Sequence, residues 1–350
     1  MKKSGYLTLI LVALSIINLT SCSPSVYEQV YPALNDGKYD SEFPYKNSSA
    51  QLENISNTIK LVNSIAFYKS YIFDENSKIE LSDIKKTDLE KRAISTGNYT
   101  NTASGTGTVI YNQSGKVGIL TVAHIVNFPD TLISYFTDQA GRQLPYVQSI
   151  TVKVKQSNYV PDLPEGGELN IFAIDKEHDL AILLGSFSEA QTKTIDVFAY
   201  PDGKASELEW GTFVYVFGYP MNYKMISKAI VSLSNKDKGS SFLIDAVFNR
   251  GFSGGLVLAV RDGVPNFELV GLVKSVPADY EYVVKPMVTN KNLDFNPLLP
   301  YEGDLYVEKQ LSLKLGITKV IPVETIEDFL KKNKVKFDNN KIHLKTGFER

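Results

Sequence analysis

The chain has 350 residues, of which 43% are hydrophobic and 22% are charged, and its formal net charge at pH 7 is −2. This length and hydrophobic content suffice to bury the core of one large or two small domains, which excludes a disordered chain. Because the net charge is close to zero and the sequence has no long basic run, we expect no nucleic acid among its partners.

The N-terminus has the features of a secretory signal followed by a lipid attachment site. Two lysines precede an uncharged apolar stretch over residues 6–19, which is short for a membrane span. The tetrapeptide Leu-Thr-Ser-Cys over 19–22 resembles a bacterial lipobox, and Cys22 is the only cysteine of the chain. We therefore expect a lipoprotein signal peptide over 1–21 and lipidation of Cys22. The alternative is an ordinary signal peptide followed by a chance cysteine.

Residues 22–59 are expected to form a tether between the lipid and the folded part of the protein. This segment is rich in Pro, Ser, Asn and Asp and shows no periodic pattern of apolar residues. The residue after the cysteine is Ser23 rather than Asp, which by resemblance to Gram-negative sorting rules favours the outer membrane. We therefore expect a lipid-anchored protein of the cell envelope. Whether it faces the periplasm or the outside stays open.

From about residue 60 the sequence changes to short apolar runs typical of strands. Residues 60–73 are aromatic and β-branched, residues 150–155 alternate apolar and polar positions, and many similar runs follow, mostly separated by Gly, Asn, Asp or Pro. This pattern predicts an all-β barrel or sandwich architecture. Two stretches are predicted to be helical: 81–94, within a charged insertion over 74–104, and 323–333, whose apolar residues recur at helical spacing.

A glycine-rich segment, NRGFSGGLV over 249–257, surrounds Ser253 and lies between two apolar runs. Glycines free the backbone to direct amide N–H groups at one point beside the hydroxyl, which suits a nucleophile with an oxyanion hole. Taken alone, the segment is a weak indication, because Gly-Ser turns join strands in many proteins. A reactive serine also needs a base and an orienting acid.

His124 is the strongest candidate for the base among the three histidines. It ends one apolar strand and precedes another apolar pair, although a histidine in such a place is more often a core residue than a catalyst. Asp179 opens a buried run, where a carboxylate is costly without a partner such as an imidazole. His178 is expected to face solvent because neighbouring side chains of an extended chain point to opposite faces. His343 has no motif around it.

Three segments, LTVAHIV, DLAILL and GFSGGLV, resemble the catalytic segments of trypsin-like (chymotrypsin-fold) serine peptidases in that family's order of His, Asp and Ser. The bacterial HtrA/DegP-like branch is the most similar. Further segments resemble this branch at 104–110, 210–220, 228–234 and 317–333. The resemblance therefore covers about residues 60–333.

The resemblance implies an all-β fold of two six-stranded antiparallel β-barrels of the chymotrypsin type with a C-terminal helix. The expected bounds of the protease domain are about 60–187 for barrel one, 208–316 for barrel two and 323–333 for the helix, followed by a tail over 334–350. Better-known members of the branch carry a PDZ domain, for which this tail is too short, so we expect none.

The resemblance also implies a role for each residue at the site. His124 is the expected general base, Asp179 orients its ring, and Ser253 is the nucleophile. The backbone N–H groups of Gly251 and Ser253 are the expected oxyanion hole. The expected specificity pocket comprises Val247, Phe248 and Arg250.

Some positions depart from the family pattern. Val247 stands where trypsin-specific members carry an acid, so we expect a pocket for small or medium apolar side chains instead of Lys or Arg. Phe252 replaces the usual Asn before the serine, Arg250 stands where the branch often has Pro, and Leu256 where chymotrypsin-like members often have Pro. The Phe252 ring either narrows the cleft or stacks on the substrate, or it points away into a loop, and the sequence leaves these alternatives open.

Three functions are compatible with these observations. The favoured one is a membrane-anchored serine endopeptidase that hydrolyses peptide bonds of envelope or extracellular proteins. The alternatives are a catalytically quiet sensor or binding module on the same fold, and an unrelated surface lipoprotein such as an adhesin. No ligand cluster for a metal and no dinucleotide or phosphate-loop motif is present, so we expect neither metal nor cofactor. The oligomeric state and the substrate stay open.

Overall fold

The computed structural model describes residues 35–344 apart from 45, 85–88, 139–141, 235–240, 247–248, 277, 287–297, 299–304 and 314–315. Helix α1 (Ser49–Asn57) comes first in this part of the chain. In the described part of the chain, no helix has the length and hydrophobicity needed to cross a membrane. The predicted signal peptide and Cys22 lie outside the described residues.

The first seven strands form one sheet, all antiparallel to their neighbours, and six of these strands close into barrel one. The strands are β1 (Ile59–Ile72), β2 (Ser95–Gln113), β3 (Lys116–Thr121), β4 (Thr131–Thr137), β5 (Gln143–Tyr159), β6 (Glu168–Asp175) and β7 (Leu180–Ser186). Six of them follow the order β1-β2-β3-β7-β6-β5, and pairing of β5 with β1 closes the barrel. Strand β4 pairs with β5 as an addition to this barrel.

Barrel two is closed by six antiparallel strands in the order β10-β15-β12-β11-β8-β9. The strands in this half of the chain are β8 (Phe213–Gly218), β9 (Met225–Leu233), β10 (Phe242–Ile244), β11 (Leu256–Val260), β12 (Phe267–Ser275), β13 (Ala278–Pro286), β14 (Leu305–Leu313) and β15 (Thr318–Pro322). Strands β13 and β14 form a separate two-stranded ribbon inserted between β12 and β15.

Four more helices complete the described fold. They are α2 (Leu89–Arg92), α3 (Glu189–Thr192), α4 (Val323–Lys332) and α5 (Lys334–Asn339). Helix α4 buries Val323, Ile326, Phe329 and Leu330, which recur every three or four residues and therefore share one face. The expected two six-stranded barrels and C-terminal helix are confirmed. Buried side chains of both barrels and of α4 form one continuous core.

Several elements cross the predicted boundaries, because the chain packs more of itself onto the barrels than local composition indicates. The predicted tether over 22–59 includes α1 and the core residue Tyr39. The predicted tail over 334–350 begins with α5, which buries Phe337. Barrel two extends past the predicted end at 316, since it includes β15.

The insertion over 74–104 also differs from its prediction. Its last part belongs to β2, which pairs with β1 without a register shift from Ser95 to Thr108. Within the predicted helix over 81–94, the described helical residues are a 3₁₀ turn at Leu81–Asp83 and the short α2. The long-range pairing with β1 determines this region, and the charged sequence pattern does not reveal it.

The N-terminal segment is held on barrel two by Asp40. Its N–H donates to the Val260 carbonyl at 2.9 Å, its carbonyl accepts from Phe213 N–H at 2.9 Å, and its carboxylate accepts from Gly263 N–H at 3.0 Å. Burial raises the pKa of the Asp40 carboxyl to about 6, against the Gly263 hydrogen bond, which lowers it. Nearby acidic groups, of which Glu42 is the strongest, add to the increase.

We expect Asp40→Asn to stabilise the protein at neutral pH. The folded state binds the Asp40 proton more tightly than the unfolded state, so stability from this group is present below about pH 4 and is lost as the pH rises through about 6. Asn keeps an acceptor for Gly263 N–H without the buried charge. The expected gain in the free energy of unfolding at pH 7 is about 1 kcal/mol, after discounting for the solvent that reaches this half-buried group.

The measurement is urea unfolding from pH 4 to 7, with Asp328→Asn on an exposed site of α4 as the matched control. Between pH 4 and 6 the free energy of unfolding of the wild type should fall relative to that of the variant, because only the wild type loses the contribution of Asp40. Parallel curves for the two proteins would contradict the assignment of this titration to Asp40.

Candidate active site

His124 and Asp179 meet because their elements are neighbours in barrel one. His124 lies in a 3₁₀ turn, Ala123–Ile125, directly after β3, and Asp179 directly precedes β7. Strands β3 and β7 are antiparallel and pair Thr121 with Ala181, so the end of one strand lies beside the start of the other. Two residues that are 55 positions apart are thereby placed in contact.

The Asp179 carboxylate holds His124 at two points. Oδ2 lies 2.8 Å from His124 Nδ1, and Oδ1 accepts from the His124 backbone N–H at 2.8 Å. A carboxylate only accepts hydrogen bonds, so Nδ1 carries a proton, and in the neutral form of the ring Nε2 has the free lone pair. The carboxylate is 13% exposed and the imidazole 44% exposed, so the acid is shielded while the ring faces the cleft.

The backbone of Asp179 is itself constrained. Its φ of +62° is in the left-handed region, which Asp tolerates better than most residues, at a cost of about 1 kcal/mol or more. Its carbonyl accepts from Ala123 N–H at 3.1 Å. The turn before β7 is therefore tied to the turn after β3 through both the main chain and the side chain of this residue.

Ser253 lies in the turn before β11 and is 7% exposed. Gly254 N–H donates to the Val273 carbonyl and Val273 N–H donates to the Gly255 carbonyl, each at 2.8 Å, so the end of the turn is paired with β12. Gly254 has a φ of +84°, and a Cβ there would lie 2.1 Å from the Thr106 carbonyl oxygen. Only glycine fits at this position.

The Ser253 hydroxyl donates to the Lys274 carbonyl at 3.2 Å. That carbonyl is available because the pairing of β12 with β15 shifts register between Val273 and Ser275, which leaves Lys274 as an extra residue at a β-bulge. A hydroxyl has one proton to donate, so Ser253 must rotate before it can donate to His124.

The predicted oxyanion amides are oriented by the neighbouring peptide. The Arg250 carbonyl accepts from Met221 N–H at 2.8 Å, and because a trans peptide directs its C=O and N–H to opposite sides, Gly251 N–H points away from Met221. Gly251 has a φ of +103°, and a Cβ there would lie 2.1 Å from the Tyr219 carbonyl oxygen. Within the described part of the chain, no protein group accepts from the Gly251 or Ser253 amide.

Thr106 in β2 ties this turn to barrel one. Its N–H donates to the Ser253 carbonyl at 2.7 Å, and its hydroxyl donates to the Gly251 carbonyl at 2.6 Å while accepting from Tyr219 N–H at 2.9 Å. Its own carbonyl accepts from the Thr121 hydroxyl at 2.7 Å. Thr106 is fully buried. Sequence reasoning placed it in a segment resembling the HtrA/DegP-like branch but gave it no role.

The residues meet in a cleft of about 510 Å³. It is lined by Asn63, Ser64, Ile65, Thr102, Ala103, Ser104, His124, Ile125, Tyr159, Arg250, Gly251 and Ser253. The structure thus brings together His124, Gly251, Ser253 and the exposed Arg250. The lining from β1, β2 and β5 was missed because it depends on strand pairing, which no local sequence signal reveals.

The remaining predicted residues have different outcomes. Val247 and Phe248, expected in the specificity pocket, lie outside the described residues. The Phe252 ring is buried in the core and packs against Gly218, where a Cβ would lie 2.7 Å from its Cδ1. The ring therefore lies in the core, neither in the cleft nor in a loop.

His178 forms a second pair of similar geometry beside the first. Its backbone N–H donates to Asp175 Oδ1 at 3.0 Å and its Nδ1 lies 2.8 Å from Asp175 Oδ2. Burial alone would raise the pKa of Asp175, but the hydrogen bonds from His178 outweigh this effect and lower it. Burial, with a smaller contribution from Asp162, raises the pKa of Tyr219 near the turn to about 12, so its phenol stays neutral.

Residues 105–272 match the family model of the trypsin-like peptidase domain. The match begins in β2 and ends in β12, so it includes His124, Asp179 and Ser253. No curated protein matches the chain. The match and the two six-stranded barrels together support a chymotrypsin-fold peptidase of the serine type.

We expect Thr106→Val to slow the reaction of Ser253 while keeping the side-chain shape. The variant leaves the Gly251 carbonyl and the Tyr219 N–H buried without their partner, which costs about 2 kcal/mol or more of stability. The loosened turn should lower the rate of labelling by a fluorophosphonate about tenfold to a hundredfold.

Thr106→Ser is the matched control, since it restores the hydroxyl and both hydrogen bonds. Its labelling rate should be close to that of the wild type, measured below the melting temperature of each variant. A Val variant that is labelled as fast as the wild type would show that the Thr106 hydroxyl does not position the turn.

Proposed function

From the two barrels and the match to the trypsin-like peptidase domain, we propose that this protein is a serine endopeptidase that uses His124, Asp179 and Ser253. The observation that carries the proposal is the pair of hydrogen bonds that His124 donates to the Asp179 carboxylate, together with the place of the His124 ring in the same cleft as Ser253. This arrangement leaves a histidine nitrogen with a free lone pair in a cleft that also contains a hydroxyl nucleophile.

In the proposed reaction, the Ser253 hydroxyl rotates toward His124 and its Oγ attacks the carbonyl carbon of a peptide bond while Nε2 takes the proton. Asp179 stabilises the resulting imidazolium and keeps the ring in place. His124 then gives the proton to the leaving amine as the C–N bond breaks. Water, deprotonated by His124, hydrolyses the acyl-enzyme and releases the second product.

The Gly251 and Ser253 amides are proposed to bind the oxyanion of the tetrahedral intermediate. The hydrogen bond from Met221 N–H to the Arg250 carbonyl supports this, because it keeps the carbonyl of that peptide out of the position that the oxyanion needs. Removal of one such donor typically lowers the rate about a hundredfold to a thousandfold. The Thr106 hydrogen bond to the Gly251 carbonyl keeps the next peptide in place.

One observation favours the alternative of a catalytically quiet binding module. The Ser253 hydroxyl donates to the Lys274 carbonyl, so the nucleophile is not aligned with the base in this arrangement. Catalytic hydrogen bonds are often long or misaligned without substrate, and we therefore place the peptidase first.

We further propose that the protein acts at the cell envelope, anchored by lipid on Cys22, on envelope or extracellular proteins. The support is the LTSC tetrapeptide after a short apolar stretch. The further segments that resemble the HtrA/DegP-like branch support a place in that branch. Partition of the full chain into detergent, compared with Cys22→Ser, tests the anchor: equal partition of both proteins would refute it.

The specificity proposed for the cleft is for small or medium apolar side chains, based on Val247 at the position where trypsin-specific members carry an acid. A peptide library cleaved by the purified protein tests this proposal. Cleavage mainly after Arg or Lys would refute it.

We expect a fluorophosphonate to label the wild-type protein covalently and to leave Ser253→Ala unlabelled. His124→Gln should reduce the labelling rate by about three orders of magnitude or more, since the serine loses its base. The measurement is the time course of label incorporation, with circular dichroism to verify that each protein is folded.

His178→Gln is the matched control, because His178 has the same kind of double contact with an aspartate in the turn before β7. Its labelling should stay within about twofold of the wild type, since it lacks a serine partner in the cleft. If the folded wild type stays unlabelled, the quiet binding module becomes the preferred function.

A further inference from the structure

The ribbon of β13 and β14 has an apolar face with no covering element among the described residues. The two strands pair only with each other in this part of the structure. Alternate residues form the face, and their exposed fractions are 63% for Tyr280, 73% for Tyr282, 63% for Val284, 58% for Leu305 and 64% for Val307. The Lys309 ammonium lies 4.1 Å from the centre of the Tyr280 ring on the same face. We call this surface the ribbon face.

The opposite face of the ribbon is mainly charged and polar, although Val283 and Tyr306 also belong to it. Lys285 and Glu308 form an ion pair with Nζ and Oε2 2.6 Å apart, and Asp279 and Glu281 are exposed. The ribbon is therefore amphipathic, even though none of the core clusters formed by the described residues lies against its apolar side. Clustered exposed apolar side chains of this kind mark interaction sites more often than ordinary surface.

The ribbon starts close to the candidate active site. Ala278, its first residue, follows Lys274 by four positions, so their Cα atoms are at most about 14 Å apart. The Lys274 carbonyl accepts the hydrogen bond of the Ser253 hydroxyl. An extended polypeptide in the cleft therefore needs to continue for only a few residues before it reaches the ribbon.

We propose that the ribbon face is an exosite that binds an extended apolar segment of the same polypeptide whose peptide bond lies in the cleft. This proposal rests on the proposed peptidase function. Three features select this occupant. The ribbon begins four residues after Lys274, whose carbonyl accepts from the Ser253 hydroxyl. Both of its outer edges are open to a further strand among the described elements, and the face consists of Tyr, Val and Leu side chains with Lys309 beside Tyr280.

The physical basis is the low intrinsic stability of a two-stranded ribbon. Such a ribbon is marginal in water unless a third strand or another element packs on it. An extended substrate segment supplies backbone hydrogen bonds at the open edge and apolar side chains for the face. Because the segment and the scissile bond belong to one chain, occupation of one site raises the effective concentration at the other to the millimolar range, on the order of 1 mM.

The test compares two substrates and two matched variants. The ribbon variant carries Val284→Ser and Val307→Ser, a cross-strand pair with exposed fractions of 63% and 64%. The control variant carries Val154→Ser and Val335→Ser, which are 70% and 72% exposed on β5 and α5. All proteins are the full chain with Cys22→Ser, so that no lipid contributes.

With reduced, carboxymethylated α-lactalbumin as the unfolded protein substrate, we expect the ribbon variant to raise KM about fivefold or more. With a blocked dipeptide p-nitroanilide, whose two residues span about 7 Å at about 3.4 Å per residue and so do not reach the ribbon, kcat/KM should stay within twofold. The control variant should leave both unchanged. An equal effect on both substrates, or no effect on either, would overturn the proposal.

A second variant tests whether the Ser substitutions act by disrupting the structure of the ribbon. Val284→Thr with Val307→Thr keeps β-branched side chains and thus strand propensity while adding hydroxyls to the face. It should also raise KM for the protein substrate only. If this variant behaves as the wild type while the Ser variant does not, a structural effect explains the Ser result and the proposal fails.

A binding measurement that needs no catalysis distinguishes a wrong exosite proposal from a wrong peptidase proposal. Anisotropy of fluorescent carboxymethylated α-lactalbumin is measured with Ser253→Ala protein, with and without the ribbon substitutions, and a loss of affinity of about fivefold or more supports the exosite without any catalysis. A dimer in sedimentation velocity that the ribbon substitutions abolish would assign the face to a second copy of the chain. Ribbon-dependent binding to phosphatidylethanolamine–phosphatidylglycerol vesicles would assign it to the membrane. Either result would overturn the proposal.

Discussion

The four hydrogen bonds of Thr106 tie the histidine side of the site to the serine side. The Thr121 hydroxyl donates to the Thr106 carbonyl, and Thr121 is the last residue of β3, the strand that leads to His124. The other three bonds of Thr106 reach Gly251, Ser253 and Tyr219 in barrel two. The close approach explains why both contributing segments are rich in glycine: a Cβ at Gly254 would collide with the Thr106 carbonyl. The geometry of the cleft thus depends on a buried threonine outside the predicted triad.

The two histidine–aspartate pairs have similar geometry but form in different ways. His178 and Asp175 are three residues apart, and their contact forms within a single turn. The contact of His124 with Asp179 requires the pairing of β3 with β7 and a left-handed backbone at Asp179. The free-energy cost of the left-handed backbone at Asp179 occurs beside an imidazole that lines the cleft. Backbone strain of this kind is common at functional sites.

Local alternation in strands predicted an all-β fold, and the resemblance to trypsin-like peptidases, which depends on a fixed order of motifs, predicted the two barrels. The same motifs predicted that His124 and Ser253 share a cleft, and both line it. The sequence could not predict features that depend on long-range pairing. Thr106 gains its role only when β2 meets the turn of barrel two, and Tyr39 joins the core only when residues 35–44 lie on barrel two. The ribbon of β13 and β14 was also missed, since its exposed apolar face does not follow the expected burial of alternate residues.

The hydrogen bond from Ser253 to Lys274 does not by itself prevent catalysis. A hydrogen bond of this kind contributes about 0.5–1.5 kcal/mol net, so it lowers the population of the aligned hydroxyl by at most roughly tenfold. Loss of the base or of the oxyanion donors would cost several orders of magnitude. Lys274 is at a bulge that also leads, four residues later, into the ribbon. The same short stretch of chain therefore links the resting orientation of Ser253 to the surface where we place the substrate segment.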